Sequence, residues 1–310
     1  MKKYKFILTL IIVGIFSTFF ISCKKNIDFD ETYGKQKLVV NSIFNITDYI
    51  DIYLTESRNP TIPSKYFYSY ADAQISVFSS DNKILDFTYD DGREKYSSNE
   101  KPNFKVGETY SLVVTSPKYG QTSASFSFPG KTLIDSIELK QEMVNIEDEG
   151  VNEYIVAYIH FKDPEGEKNF YQIDGYYEKE INHFDTRQRW EFLDYYYQVD
   201  DVLKNNGTID SYDNMHQIFN DDIFDGKDYT LKYLICYPYD ITSENPIEVH
   251  FSLKSISQDL YYYYKSLDIY DYNDGDFTVE PTNIYNNIEN GLGIIGTYQV
   301  DNKSATYPEN

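Results

Sequence analysis

Short segments in which apolar and polar residues alternate fill the chain from residue 37 to residue 130. Turn residues such as Asp91-Gly92 and Val106-Gly107 separate them. Because side chains two residues apart lie on the same face of a strand, each segment predicts a strand with one apolar face. The six segments are KLVVNSI, YIDIYLTE, ADAQISVF, KILDFTYD, TYSLVVTS and QTSASFSF. This spacing predicts an immunoglobulin-like β-sandwich over residues 37–130.

Two of these segments define the predicted core of the sandwich. In each, three apolar side chains recur at every second position and therefore lie on one face. The residues are Tyr110, Leu112 and Val114 in one segment and Ala124, Phe126 and Phe128 in the other. Pro129-Gly130 marks the predicted end of this domain.

A second β-rich domain is predicted over residues 131–310. In EYIVAYIHFKD both alternating faces are apolar, which indicates a buried strand. Further strands are predicted at FYQIDGYYEKE, YTLKYLICY and IEVHFSL. Residues 185–228 are irregular, acidic and aromatic, and they predict long loops with one short helix among them. The predicted fold class is therefore mainly β.

One helix is predicted near residues 256–270 of the second domain. Ile256, Leu260 and Leu267 recur at helical spacing. Ser255 with Gln258 is the predicted capping box at its start. The four consecutive tyrosines at 261–264 point in different directions around such a helix, so only part of them can belong to the core.

The first residues have the pattern of a lipoprotein leader. Three lysines precede an apolar run from Phe6 to Ile21, which is shorter than the about 20 residues that a membrane-spanning helix needs. Residues 1–22 are therefore predicted to be a signal peptide. Phe20-Ile21-Ser22-Cys23 resembles a bacterial lipobox, and by that resemblance Cys23 is the lipid attachment residue. Residues 23–36 would form a flexible tether; a signal anchor with an incidental cysteine is the alternative.

Composition narrows the possible partners. The net charge of −22 disfavours binding to nucleic acid, because phosphate backbones are repelled. Two cysteines are present, so acylation of Cys23 leaves Cys236 without a disulfide partner. The 33 tyrosines suit strands with half-buried faces, and they are also typical of proteins that bind at surfaces.

Motifs for cofactors and metals do not hold up in context. Gly291, Gly293 and Gly296 match the spacing of the dinucleotide fingerprint, but a strand-like TYQV follows where a helix is needed. We expect these glycines to allow a tight backbone path beside the sheet. The stretch DYNDGDFTVEPT from Asp271 fails the register of an EF-hand.

Looser calcium sites are the remaining metal alternative, against exposed acidic turns. One would use Asp271, Asn273, Asp274 and Asp276, and the other would use Asp221, Asp222, Asp225 and Asp228. The histidines show no zinc-binding spacing; they are His160, His183, His216 and His250. The sequence therefore indicates no catalytic residue, no cofactor and no metal.

The C-terminal stretch carries a resemblance to a known family. Its elements, in order, are Tyr261 to Tyr264, Glu280-Pro281, Asn287-Ile288, Asn290-Gly291 and Gly293 to Gly296. With KLVVNSI, ADAQISVF, VGETYSLVV and DPEGEKNFYQI upstream, they resemble the Bacteroidota family catalogued as domain of unknown function 4249 (DUF4249) over nearly the whole mature chain. Ile295 departs from the aromatic residue that the family often has. The resemblance implies an envelope lipoprotein and transfers no catalytic residue.

We expect a non-enzymatic outer-membrane lipoprotein, held by acyl chains such as palmitate, that binds a solute or a partner. By family analogy it would be an accessory to a TonB-dependent transporter in nutrient uptake. A structural or adhesive surface protein and a hydrolase of glycans or peptides are the alternatives. Asp28, Asp30 and Glu31 in the tether favour the cell-surface face of the membrane, with a periplasm-facing position as the alternative.

Overall fold

The computed structural model describes residues 36–58, 69–146, 150–181, 186–191, 200–204, 214–235, 246–273 and 283–308. Fifteen strands and two helices lie in these ranges. The strands of the N-terminal part are β1 Leu38–Asn45, β2 Asp51–Glu56, β3 Gln74–Ser79, β4 Asn82–Asp90, β5 Lys95–Ser98, β6 Thr109–Ser116 and β7 Gly120–Ser127. The remaining elements are β8 Ile134–Ile146, β9 Gly150–Lys162, β10 Phe170–Ile181, β11 Thr186–Glu191, α1 Asp201–Lys204, β12 Ile218–Asn220, β13 Asp228–Ile235, β14 Ile247–Ile256, α2 Gln258–Asn273 and β15 Leu292–Tyr307.

Most strands follow one hydrogen-bonded path. Its order is β11-β10-β14-β15-β1-β2-β5-β4-β3-β6-β7, with β12 paired to β10. A second sheet has the order β13-β9-β8. Lys37–Arg58 and the described residues from 69 onward belong to one compact unit. The prediction of a mainly β fold is confirmed.

The seven N-terminal strands close over a single apolar core. β1 and β7 lie at opposite ends of their part of the path, yet the ring of Phe44 on β1 packs 5.4 Å from Phe126 and 5.7 Å from Phe128. The path therefore folds back on itself in a sandwich-like arrangement. The predicted inward faces are confirmed, because Tyr110, Leu112, Val114, Ala124, Phe126 and Phe128 are all at most 4% exposed.

Strand β15 joins the N-terminal strands to the rest of the chain. It runs parallel to β1, with Val40 opposite Gly293, and antiparallel to β14. Gly293 has φ of +115°, and a Cβ there would lie 2.1 Å from the carbonyl oxygen of Val40. Only glycine fits, as the expected tight path requires. The domain boundary at Pro129-Gly130 stays a prediction, with β15 paired on both sides of it.

The C-terminal part has its own cores. β9 is the middle strand of the β13-β9-β8 sheet, and its residues Ile155, Ala157 and Ile159 are fully buried, as predicted for a buried strand. They pack with the inward faces of β10 and β14. In the region predicted to be long loops with one short helix, the described residues hold α1 and also β11 and β12. The prediction of long loops with one short helix is therefore wrong where β11 and β12 form.

Helix α2 confirms the predicted C-terminal helix, but not its cap. The helix begins at Gln258, and the Ser257 side-chain oxygen accepts the N–H of Leu260 at 3.4 Å. Ser255 lies at the end of β14, where its oxygen accepts the N–H of Thr132 at 3.1 Å. The capping prediction is wrong because the strand continues to Ile256, three residues beyond the predicted IEVHFSL, so the cap falls on Ser257. Tyr261 is buried and Tyr262 is 38% exposed, as expected for tyrosines spread around a helix.

Candidate functional site

The lipid attachment residue predicted from the sequence, Cys23, lies outside the described residues. Cys236 and His183 also lie outside them, as do Asp274 and Asp276 of one predicted calcium loop. The structure therefore tests neither the lipobox nor that loop. Other candidates lie within the described residues, and their positions are given below. The structure also shows a cleft between the N-terminal strands and α2, which the sequence did not indicate.

The cleft has a volume of about 240 Å³. Four segments that are distant in sequence form its walls: the turn before β6, the end of β7, the turn before β10 and the start of α2. The lining residues are Val106, Gly107, Ser127, Phe128, Pro129, Gly130, Glu167, Lys168, Asn169, Phe170, Ile256, Ser257 and Gln258. Polar groups and aromatic rings are both present, a combination typical of small-molecule sites.

Hydrogen bonds from β15 hold one wall of the cleft in place. The Thr297 hydroxyl donates to the carbonyl oxygen of Ser127 at 2.5 Å, and the Gln299 amide donates to that of Pro129 at 2.5 Å. Side chains of β15 therefore fix the segment that follows β7. A cleft with such a wall is formed before any ligand arrives, which lowers the entropic cost of binding.

The start of α2 forms a second wall. Ser257 caps the helix and also accepts the N–H of Thr297 at 3.2 Å, so the cap is joined to β15. The N–H groups in the first turn of a helix have no partner within the helix. Gln258, which begins the helix, lines the cleft and places such a donor near its opening.

A cluster of four aromatic rings includes Phe170, which lines the cleft; we refer to Phe170, Tyr261, Tyr262 and Tyr285 as the tyrosine platform. The ring of Phe170 lies 4.7 Å from that of Tyr261 and 6.1 Å from that of Tyr262, which in turn lies 5.8 Å from that of Tyr285. The Tyr285 hydroxyl donates to Asp259 at 2.5 Å. Burial, with this carboxylate beside it, raises the pKa of Tyr285 to about 12, so its hydroxyl keeps its proton at neutral pH.

The turn before β10 forms a third wall of the cleft. Three aspartates meet where this turn begins, and we call Asp163, Asp221 and Asp225 the aspartate cluster. One carboxylate oxygen of each lies within 4.8 Å of the others. Asp163 and Asp221 are 1% and 2% exposed. The sequence had indicated Asp221 and Asp225, but it gave no sign that Asp163, the first residue of DPEGEKN, would join them. The other two predicted ligands diverge: Asp222 pairs with Lys168 at 2.8 Å, and Asp228 begins β13.

Hydrogen-bond donors from the backbone and from Tyr171 occupy carboxylates of this cluster. Asp163 accepts the Tyr171 hydroxyl and the N–H of Gly226, the latter at 2.9 Å. Asp221 accepts the N–H of Asn169 at 2.6 Å. Burial raises the pKa of Asp163 above its usual value, these two donors oppose the shift, and the neighbouring aspartates add to it. The cluster therefore fixes the turn before β10, which lines the cleft, and its oxygen atoms are also of the kind that calcium prefers.

The described histidines lie apart from one another. His160 on β9 contacts the Thr230 hydroxyl at 2.8 Å, and His216 contacts the buried Asp268 at 2.5 Å and stacks on Tyr264. His250 lies on β14 and stacks on Tyr176. Within the described ranges, no group of possible metal ligands contains two histidines.

The fold and the cleft define the class of this molecule: a mainly β protein with a small preformed cleft between its N-terminal strands and a C-terminal helix. The chain belongs to the family described as domain of unknown function DUF4249, whose model matches residues 24–304. A comparison with curated proteins gives no match. Across the part of the chain that the structure describes, no helix is long and apolar enough to cross a membrane.

Proposed function

We propose that this protein is a non-enzymatic, lipid-anchored outer-membrane lipoprotein that binds a small solute in the cleft and serves a TonB-dependent uptake system. The observation that supports binding is the cleft itself, whose walls come from four distant segments, two of them fixed by hydrogen bonds to β15. A cleft of this construction, with a few polar groups beside aromatic rings, is the usual form of a binding site.

The dimensions of the cleft favour a small ligand. Its volume of about 240 Å³ is below the range of roughly 300–1,000 Å³ that holds drug-sized molecules. Asn169, Ser257 and Gln258 offer polar groups, and Phe170 of the tyrosine platform offers an aromatic ring in the lining. A solute with hydroxyl or amide groups and one apolar face would use both.

Attachment at Cys23 would place this cleft at the membrane surface. The tether of residues 23–36 precedes β1, and two or three acyl chains hold a protein stably where one does not. The acidic chain, with a net charge of −22, would itself be repelled by anionic lipid headgroups. In this proposal the acyl chains carry the anchoring and the folded part faces the cell exterior.

Binding is tested with a variant that fills the cleft. Val106 lines the cleft and is 52% exposed, so Val106→Trp should obstruct it without disturbing the core. The matched control is Val151→Trp, which changes a valine of similar exposure, 60%, on β9. A panel of monosaccharides, amino acids and dipeptides is measured by saturation-transfer NMR. We expect at least one solute to bind the wild type and the control, and to lose binding in Val106→Trp. Equal binding to both variants would contradict the proposal.

Anchoring and exposure are tested in cells. Cys23→Ala should abolish labelling by a fatty-acid analogue, while Cys236→Ala, which changes the other cysteine, should leave it unchanged. Proteinase added to intact cells should then digest the wild-type protein. Digestion that requires a permeabilised outer membrane would place the protein on the periplasmic side.

The uptake role has its own test. The protein is crosslinked in intact cells and purified under denaturing conditions, with Cys23→Ala as the control for membrane placement. Recovery of a TonB-dependent transporter with the wild type alone supports an accessory role. Recovery of no transporter argues against that role and leaves solute binding to be judged by the NMR experiment.

A further inference from the structure

The outer face of the β10–β14 pair carries a second group of side chains that the cleft does not use. On β14, Val249 and its neighbours at every second position face the core, and Glu248 and His250 face outward. In the register of the two strands, Glu178 lies opposite Glu248 and Tyr176 lies opposite His250. Two adjacent cross-strand pairs thus form one block on the outward face.

Three members of this block converge. One carboxylate oxygen of Glu178, one of Glu248 and a ring nitrogen of His250 all lie within 4.8 Å of one another. His250 Nε2 lies 3.9 Å from Glu248 Oε1. Like charges directly opposite each other on paired strands destabilise a sheet. Two glutamates placed in this way favour a cation between them.

The imidazole of His250 supplies a second, independent observation. Its Nε2 atom is buried and has no hydrogen-bond partner, since the nearest carboxylate oxygen at 3.9 Å is too far for one. The ring is stacked on Tyr176, with centroids 4.6 Å apart and planes inclined by 14°, so its direction is fixed. An unpaired buried polar atom is costly, and it calls for a missing partner.

We propose that Glu178, Glu248 and His250 bind a divalent transition-metal ion, with zinc as the best fit. Zinc accepts histidine nitrogen and carboxylate oxygen at roughly 2.0–2.2 Å, and three protein ligands leave a further position open. His250 Nε2 and Glu248 Oε1, which lie 3.9 Å apart, need to close by only about 0.5 Å to share such an ion, and the Glu178 oxygen lies within 4.8 Å of both. The side chains of Glu248 and His250 are 34% and 25% exposed, so the group lies near solvent, from which water could supply a fourth ligand.

The mixed ligand set separates this site from the aspartate cluster. Calcium and magnesium take oxygen ligands, whereas imidazole selects transition metals. In the aspartate cluster backbone N–H groups already occupy the carboxylates, whereas His250 Nε2 has no partner. Glu178 and Glu248 also interact with other residues, so the ion would compete with those contacts. The proposal is independent of solute binding in the cleft.

The test measures zinc directly. The purified protein, without a histidine tag, is stripped of metal and titrated with Zn²⁺ against a chromophoric chelator. We expect one equivalent to bind, and we expect His250→Asn and Glu248→Gln each to weaken the affinity by more than about 100-fold, since even partners outside the ligand shell contribute about 10–100-fold. Substitution by Co²⁺ should give a visible spectrum that His250→Asn abolishes.

Two control variants keep the test specific. His160→Asn changes a histidine whose ring contacts the Thr230 hydroxyl on another strand pair, and Asp225→Asn changes the exposed member of the aspartate cluster. Both should leave zinc affinity unchanged, and circular dichroism should show that every variant folds. Absence of zinc binding, retention of affinity in His250→Asn, or its loss in Asp225→Asn would overturn the assignment.

Discussion

The N-terminal strands and the C-terminal part bury different kinds of polar residue. Over the described residues up to 130, the buried polar side chains all carry small hydroxyl groups: Ser42, Ser98, Ser116 and Thr122. Beyond residue 130 the structure buries four aspartates and three amides as well: Asp163, Asp200, Asp221, Asp268, Gln172, Asn214 and Gln217. One part is held by apolar packing, and the other adds a network of buried charges.

The buried aspartates of the C-terminal part hold loops together. Asp200 accepts the Tyr229 hydroxyl at 2.6 Å and the N–H groups of Val202 at 3.1 Å and Lys232 at 2.9 Å. Asp163 does the same for the turn before β10. A buried charge is costly unless it is fully hydrogen-bonded, so such networks tolerate little change. The difference suggests that the N-terminal part is a scaffold and that the C-terminal part positions irregular segments around the cleft.

The largest effect is expected in the apolar core. Phe126 contacts the rings of Phe44, Phe104, Tyr110 and Phe128, and it is 4% exposed. Phe126→Ala should lower the free energy of unfolding by about 4 kcal/mol through the cavity it leaves. Urea unfolding followed by circular dichroism measures this, with Phe126→Leu as the milder control. A loss below about 2 kcal/mol would mean that the site collapses and the core is less specific than described.

The next effect concerns the charged network. Asp163→Ala leaves the Tyr171 hydroxyl and the Gly226 N–H without their acceptor. Each of these two donors costs about 1–3 kcal/mol when it loses its acceptor, and removal of the buried carboxylate offsets part of that cost. The expected net loss of stability is about 3 kcal/mol. Asp81→Ala, an exposed aspartate before β4, should change stability by less than about 0.5 kcal/mol. If the free energy of unfolding falls equally in both variants, the hydrogen bonds of Asp163 do not contribute more to stability than an exposed aspartate does.

Hydroxyl groups should behave alike in the two parts. Ser257→Ala removes the acceptor for the N–H of Leu260 and Thr297, and Ser98→Ala removes the acceptor for the N–H of Ile50. Each should cost about 1 kcal/mol. Chemical denaturation of both variants under one set of conditions provides the comparison. A far larger loss for Ser257→Ala would show that the cap also holds β15 in place.

The smallest effect is a change in pH dependence. Asp163 has a raised pKa, so the folded state binds its proton more tightly than the unfolded state does, and stability falls as pH rises from 3.8 to that raised value. Asp225→Asn keeps an acceptor for the Gly166 N–H but removes a nearby negative charge. The pKa of Asp163 should then move toward its usual value, and the pH-dependent window should narrow. Carboxyl-carbon NMR measures the pKa; an unchanged value would show that Asp225 does not contribute to the shift.

Much of the N-terminal fold could be predicted from the sequence because its signals are local. Alternation alone identified β1, β2, β3, β4, β6 and β7, and it gave the inward side chains of β6 and β7. It missed β5, whose four residues KYSS are too short to show a period. The helix was found for the same reason, and its cap was displaced by two residues because strand and helix follow each other directly.

The candidate sites could not be read in the same way. Asp163 and Asp221 meet because β10 and β12 pair, and Glu178 and Glu248 meet through the register of β10 with β14. The cleft likewise takes its walls from four distant segments. Such contacts depend on strand pairing, so the spacing of residues along the chain does not predict them. Only the acidic stretch at 220–228 gave a local signal, and it indicated two of the three residues of the aspartate cluster.

The parallel pairing of β1 with β15 also sets an order of events in folding. Val39 lies opposite Leu292, so one edge of the first strand stays open until nearly the whole chain is available. Contacts this far apart in sequence form slowly, because a long loop must close before they contribute. While the chain is being synthesised, β1 therefore lacks one of its two neighbouring strands, and the N-terminal sheet is incomplete. A polypeptide that has to cross a membrane unfolded would gain from this delay, since its sheet is completed only after the last strand arrives.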